Sequence, residues 1–126
     1  MEVLSSRVLY RSADLEGLRR FYEKTLGLHV YREYGQDGDV LGVVFFLGGG
    51  FLEITRAATS SPSITLWLQV RAAQAEETRL RAAGVEVLKA TEKMPWGLIE
   101  AWVRDPEGNE LCLVEMPDDH PIRRRV

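Results

Sequence analysis

The stretch Asp105-Pro106-Glu107-Gly108-Asn109-Glu110-Leu111-Cys112-Leu113-Val114-Glu115 is a turn followed by a strand. It repeats the plan of Gly48-Gly49-Gly50-Phe51-Leu52-Glu53-Ile54-Thr55. In the turn, Pro presets φ, and Gly or Asn tolerates a positive one. Working outward, Gly27 recurs at Gly84, Glu53 at Cys112 and Arg7 at Thr65, at offsets of 57, 59 and 58 residues. Three matches within two residues of one offset point to an internal duplication. The chain therefore reads as α+β: two tandem βαβββ modules forming a cup-shaped mixed sheet. Residues 1–126 make one domain, with a first module at about 5–56, a linker at 57–63, a second module at 64–116 and a tail at 117–126.

Local patterns fill in that plan. Residues 7–12 alternate as a strand. Asp14 is an N-cap, because its carboxylate can accept from the first orphan N–H groups of a helix. Leu15, Leu18, Phe21, Tyr22 and Leu26 then recur at helical spacing, and Gly27 supplies a left-handed stop. Strands are expected at 28–34, 41–47 and 51–55, with a hairpin turn over 35–38. In the second module, residues 64–70 alternate clearly. A helix over 72–83 carries the thin stripe Ala73, Leu80 and Ala83, and strands follow at 85–88, 98–104 and 110–115. The run Gly48-Gly49-Gly50 lacks a following Lys-Ser/Thr and a helix, so it is a hairpin turn and not a phosphate cradle.

Alternation sorts each strand into a helix-covered face and an open one. Val8, Tyr10, Leu52, Ile54, Ile64, Leu66, Leu68, Val70, Ala101, Val103, Leu111 and Leu113 fall on the covered face. The open set holds Arg7, Leu9, Arg11, Phe51, Glu53, Thr55, Thr65, Trp67, Gln69, Leu98, Glu100, Trp102, Glu110, Cys112 and Val114. Large aromatics mixed with a few charged groups are the lining of a ligand cavity. Phe45 and Phe46 lie on a strand apolar on both faces, so the pattern leaves their sides open.

Bulk composition narrows the function. The chain has 126 residues, 45% apolar and 28% charged, which suits a globular domain and not a disordered one. A net charge of −3 leaves no footprint for nucleic acid. The terminal Arg123-Arg124-Arg125 reads as a solvated end. No apolar stretch reaches the ~20 residues of a membrane span, and the amino terminus does not look like a signal peptide. The single cysteine, Cys112, excludes an internal disulfide and suits a reducing cytoplasm. The expectation is a soluble, cytoplasmic protein with a small-molecule ligand and neither nucleic acid nor membrane as partner.

The helix Asp14-Leu15-Glu16-Gly17-Leu18-Arg19-Arg20-Phe21-Tyr22-Glu23-Lys24-Thr25-Leu26-Gly27-Leu28, together with the Arg104-Asp105-Pro106-Glu107-Gly108-Asn109 turn, resembles the vicinal oxygen chelate superfamily of glyoxalases, bleomycin-resistance proteins and dioxygenases. A narrower likeness lies in Thr65-Leu66-Trp67-Leu68-Gln69-Val70-Arg71 and Pro95-Trp96-Gly97, which look like bleomycin-resistance proteins. Those are metal-free dimers that bind a drug in grooves lined by aromatics and acids from both chains. The resemblance therefore implies a homodimer, with paired or swapped modules. The metal enzymes of the superfamily hold their ion at four cup positions, which fall here on Arg7, Glu53, Thr65 and Cys112. Only Glu53 and Cys112 are of ligand type, and a permanent guanidinium repels a cation. Both histidines, His29 and His120, lie elsewhere.

The reading is thus a binding protein without metal or other cofactor, which sequesters an antibiotic or xenobiotic with a planar part. Trp67, Trp96, Trp102 and Phe51 would clamp the ligand, and Glu53, Glu100 and Arg7 would orient it, with Thr65 and Cys112 at the remaining cup positions. Each residue has a plainer role beside this one. Glu53 can simply pair with Arg7 or Arg11, Cys112 can act as a small hydrophobe, and Trp67 and Trp102 can bury each other in a subunit interface. The rival function is a lyase, isomerase or dioxygenase using a partial or substrate-recruited metal site, or acid–base chemistry by Glu53 and Glu100.

Overall fold

The computed structural model describes residues 1–120, and it divides into two compact units, residues 1–62 and 63–120. The Arg123-Arg124-Arg125 end, and with it most of the 117–126 tail, lies outside the described residues. No described helix is long and apolar enough to cross a membrane.

The first unit runs β1 (Arg7–Ser12), α1 (Leu15–Arg20), β2 (Val30–Gln36), β3 (Asp39–Leu47) and β4 (Gly50–Arg56). The second runs β5 (Thr65–Gln69), α2 (Ala73–Ala82), β6 (Glu86–Lys93), β7 (Ile99–Arg104) and β8 (Glu110–Glu115). Strand orders are β1-β4-β3-β2 and β5-β8-β7-β6, so the duplication read from the sequence is a duplication of topology. In each unit the first strand lies parallel to the last, and the others are antiparallel. The modules even close alike: Phe51 N–H donates to Ser6 O at 3.1 Å, and Glu110 N–H to Ile64 O at 3.1 Å.

Asp14 caps α1 as expected, accepting from Gly17 N–H at 3.1 Å. The helix then widens into a π-helical turn over Phe21–Thr25 before Gly27 ends it at φ +90°. Leu15, Leu18, Phe21 and Tyr22 are buried against the sheet, and Leu26, beyond the widened turn, is only half-buried. The two undecided aromatics part here. Phe45 joins the helix-covered core with Tyr22, ring centroids 6.2 Å apart, while Phe46 is exposed on the opposite face.

The turn after β7 is held by its own side chains. Asp105 Oδ1 accepts from Glu107 N–H at 2.8 Å and Asn109 N–H at 3.0 Å, and Asn109 Nδ2 donates to Asp105 Oδ2 at 2.8 Å. Asn109 Oδ1 then accepts from Ile64 N–H at 2.8 Å, which ties the start of β5 to the turn. Both side chains are buried, so the motif encodes a satisfied polar core and not an exposed loop.

Two expectations for α2 need correcting. Ala83 is exposed, and the third buried position is Glu77. Its carboxylate accepts from Thr91 N–H at 2.5 Å and from Arg81 Nη2 at 2.9 Å. Thr91 sits where β6 breaks register with β7, between Lys89 and Glu92. A backbone donor freed by an irregular strand is thus satisfied from the helix above it. Beyond the irregularity β6 resumes its pairing with β7 and continues to Lys93, past the expected 85–88.

Candidate functional site

The open face of the first sheet is a cross-strand network. Arg7 on β1 donates from Nη1 to Glu53 Oε1 at 2.7 Å. From the other side, Tyr34 on β2 donates its hydroxyl to Glu53 Oε2 at 2.5 Å and lies 3.0 Å from Thr55 Oγ1. To reach β4, the Tyr34 ring must cross β3, and it crosses at Gly42, its register partner. A Cβ on Gly42 would overlap the ring, so that glycine is the condition for the contact. The Tyr34 hydroxyl first, and then the Arg7 guanidinium, hold the Glu53 carboxyl below the usual glutamate range. Burial, and then the Glu53 carboxylate, push the Tyr34 phenol up.

Beside this network lies an aromatic cluster. Tyr31, Phe46 and Phe51 stand with ring centroids 5.0 to 5.6 Å apart. The Arg7 guanidinium sits 5.6 Å above the Phe51 ring, and that of Arg32 sits 5.8 Å above Tyr34.

The second sheet answers with different chemistry on the equivalent face. Cys112, Val114, Leu98 and Met116 form a buried apolar cluster against which Trp102 packs. Inside this setting Glu100, only 7% exposed, accepts from Trp96 Nε1 at 2.9 Å and from Trp102 Nε1 at 3.3 Å. Lys89 lies 5.5 Å over the Trp102 ring. Burial, and then the carboxylate of Glu100, push the Cys112 thiol up to about 12. Trp67 pairs with Cys112 in register and is 53% exposed, and Thr65 is exposed at the sheet edge. Trp96 is 56% exposed and lines an open hollow of about 310 Å³ with Lys93, Pro95, Gly97, Asp119 and His120.

Of the residues expected from the sequence, the structure gathers Arg7, Glu53 and Phe51 on one sheet, and Glu100, Trp102 and Cys112 on the other, with Trp96 reaching Glu100 from the turn between β6 and β7. Cys112, Leu98 and Val114, assigned to the open face, do lie there, but they are covered by their neighbours instead of lining free space. Tyr31, Arg32 and Tyr34 were not anticipated, because a register break between Val30 and Arg32 interrupts the alternation of β2. Phe46, on a strand apolar on both faces, was left open by the pattern.

At the four positions where the metal enzymes of the resembled superfamily hold their ion, the donors do not suit a divalent cation. The Glu53 carboxylate is occupied by a cation and a phenol, Thr65 offers a neutral hydroxyl, and the Cys112 thiol resists ionisation. Among the described residues no three His, Cys, Asp or Glu side chains are grouped to hold a metal.

A family model described as the Glyoxalase/Bleomycin resistance protein/Dioxygenase superfamily matches residues 5–113. No curated protein matches the sequence. Among solved structures, TioX from Micromonospora sp. ML1 superposes with a TM-score of 0.77 at 20% identity, covering 90% of this chain and 98% of that one. A superfamily member from Sphaerobacter thermophilus DSM 20745 gives 0.73 at 24% identity, over 90% and 98%. Lactoylglutathione lyase from Agrobacterium tumefaciens gives 0.70 at 19% identity, over 91% and 94%. At these identities the likeness is one of fold.

Proposed function

The chain belongs to the glyoxalase/bleomycin resistance protein/dioxygenase superfamily, and on that premise we propose that it binds and sequesters a planar small molecule without a metal, as a homodimer in the cytoplasm. One observation carries this reading: the superfamily's metal positions in the first module form an ion pair, Arg7 to Glu53 at 2.7 Å. A carboxylate already paired with a permanent guanidinium would have to hold a metal ion against that positive charge, while it remains well placed to hold the guanidinium and the phenol for a ligand.

The exposed rings of Trp67 and Trp96, with Trp102 and Phe51, supply flat apolar surface. Stacking on such rings contributes about 0.5–1.5 kcal/mol each beyond area burial, toward the about 8 kcal/mol of a micromolar site. Arg7 and Thr65 present polar groups at the sheet edges. Glu100 and Cys112 act from beneath, Glu100 by holding two indoles and Cys112 by packing.

The test is tryptophan fluorescence against a panel of planar and glycopeptide-type antibiotics, in chelator and then with Zn²⁺, Ni²⁺ or Fe²⁺. All three tryptophans lie in the second module, so quenching reports on that face. Saturable quenching indifferent to metal is expected. Quenching or thermal stabilisation that appears only with metal overturns the reading in favour of a metal-dependent enzyme.

A further inference from the structure

The open face of the first module carries charge of the opposite sign to the whole chain. Alternation along β1 puts Arg11 on the same side as Arg7, and Arg32 approaches this face from β2 over the Tyr34 ring. The guanidiniums of Arg7 and Arg32 therefore both act on one carboxylate, Glu53, with Arg11 on the same face of β1, in a protein whose net charge is −3. Glu53 is satisfied on both oxygens, by Arg7 and Tyr34. Arg7 spends one N–H on it and keeps part of its side chain in solvent, and Arg11 and Arg32 form no ion pair among the described residues. Against the Arg7 guanidinium lies Phe51, in ring contact with Tyr31 at 49% exposure and Phe46 at 46%. An exposed aromatic floor beside unspent guanidinium donors is complementary to a flat ring that carries a negative charge at its edge.

We propose that this face is a binding site for planar aromatic anions, such as aryl carboxylates, with the ring on Tyr31, Phe46 and Phe51 and the anionic group on Arg7 within the field of Arg11 and Arg32. The proposal rests on the metal-free binding reading and names the ligand class for it. Glu53 is a positioning residue here: by holding Nη1 of Arg7, it fixes the guanidinium beside Phe51.

The experiment is calorimetric titration of the intact protein, in chelator, with 1-naphthoate, 1-naphthamide and 1-naphthylmethylammonium. These probes share a ring system and differ in charge. Naphthoate is expected to bind at least about tenfold more tightly than either of the others, because the amide carbonyl can accept from Arg7 but carries no charge to pair with it, and the amine is repelled. Its Kd should rise with added NaCl, rise about tenfold in Arg7→Gln, and rise severalfold in Arg32→Gln and in Phe46→Ala. Both Arg32 and Phe46 are exposed, so these variants fold. Lys24→Gln, which removes one positive charge elsewhere, should leave the Kd unchanged.

Equal binding of naphthoate and naphthamide, or tightest binding of the amine, overturns the anion site and leaves metal-free binding intact. Binding of all three only after Zn²⁺ is added overturns both. A self-association that Phe46→Ala abolishes, with no saturable uptake of naphthoate, overturns the proposal by identifying the occupant of this face as a second copy of the chain.

Discussion

The two modules share a topology and a parallel closing contact, yet they use the same face in opposite ways. In the first, a solvent-reaching network of Arg7, Glu53, Tyr34 and Thr55 is held across three strands. In the second, the equivalent face is packed with Leu98, Cys112, Val114 and Met116, and its carboxylate, Glu100, is enclosed by two indoles. The helix-covered faces differ far less, since Leu52 and Ile54 in one correspond to Leu111 and Leu113 in the other, all buried. Packing against a helix constrains residue volume and polarity. The open face is free of that constraint, so it is where two copies of one module can diverge in chemistry.

The largest expected contrast is chemical. Cys112 stands at the position of Glu53, and its thiol sits at about 12 where an ordinary one sits near 9. The thiolate fraction at about pH 8 is therefore lower by about a thousandfold. Labelling with a thiol-reactive disulfide should be slower by well over about tenfold in the native protein than in urea, because burial of the sulfur adds to the low thiolate fraction while the greater nucleophilicity of a high-pKa thiolate offsets part of it. Labelling at the rate of a free thiol would show that the second face is open, and would erase the difference between the modules.

Next is the contrast between the two carboxylates. Glu100→Gln leaves one acceptor for two indole donors and removes the charge that strengthens both bonds. It should cost about 2 kcal/mol in urea denaturation, with a changed tryptophan emission. Glu53→Gln, at a half-buried site open to water, should cost about 1 kcal/mol or less. If the order is reversed, the first network is the structural one and the second is not.

Gly42→Ala tests whether the first network depends on Tyr34 crossing β3. The added methyl should displace the ring at a cost of about 1–2 kcal/mol. In a Tyr34→Ala background the same change should cost almost nothing, because the atoms it strikes are gone. A similar cost in both backgrounds would place the strain in the backbone of β3 instead.

The framework was legible in the sequence because its signals are local. Asp14 and Gly27 bracket a helix, Asp105 to Asn109 satisfies its own polar groups, and period two places Leu52, Ile54, Leu111 and Leu113 against the helices. The pairing of Arg7 with Glu53 was also within reach, as one of the readings open for Glu53. What escaped depends on relations between strands. Tyr34 meets Glu53 only because Gly42, on the strand between them, has no side chain, and no single-strand pattern records that. The bulges in β2 and β6 shift parity, which hid Tyr31 on one sheet and the Glu77 to Thr91 tie on the other. Glu100 reads as a ligand contact by alternation alone. Its enclosure follows from Trp96, which comes from a loop whose direction the sequence does not specify.

The smallest effect is also the one with the most specific sign. The folded Glu53 carboxyl sits below its unfolded value, because the Tyr34 hydroxyl and then Arg7 stabilise the carboxylate. Such a group releases its proton more readily when folded, so the unfolded state binds more protons in the interval between the two values. Its contribution is fully present above the ordinary glutamate range and is lost as pH falls through the depressed value. The stability difference between the native sequence and Glu53→Gln should therefore be flat from neutrality down to about pH 5 and shrink steadily below it. Glu77, held down by Thr91 N–H and then Arg81, falls in the same direction, so the native protein loses stability in acid in either case, and only the difference isolates Glu53. In Tyr34→Phe the leading cause is removed, so the shrinkage should begin at the same pH but be smaller in total and end at a higher pH. An unchanged total loss there would assign the depression to Arg7 alone and reduce the first network to a surface ion pair.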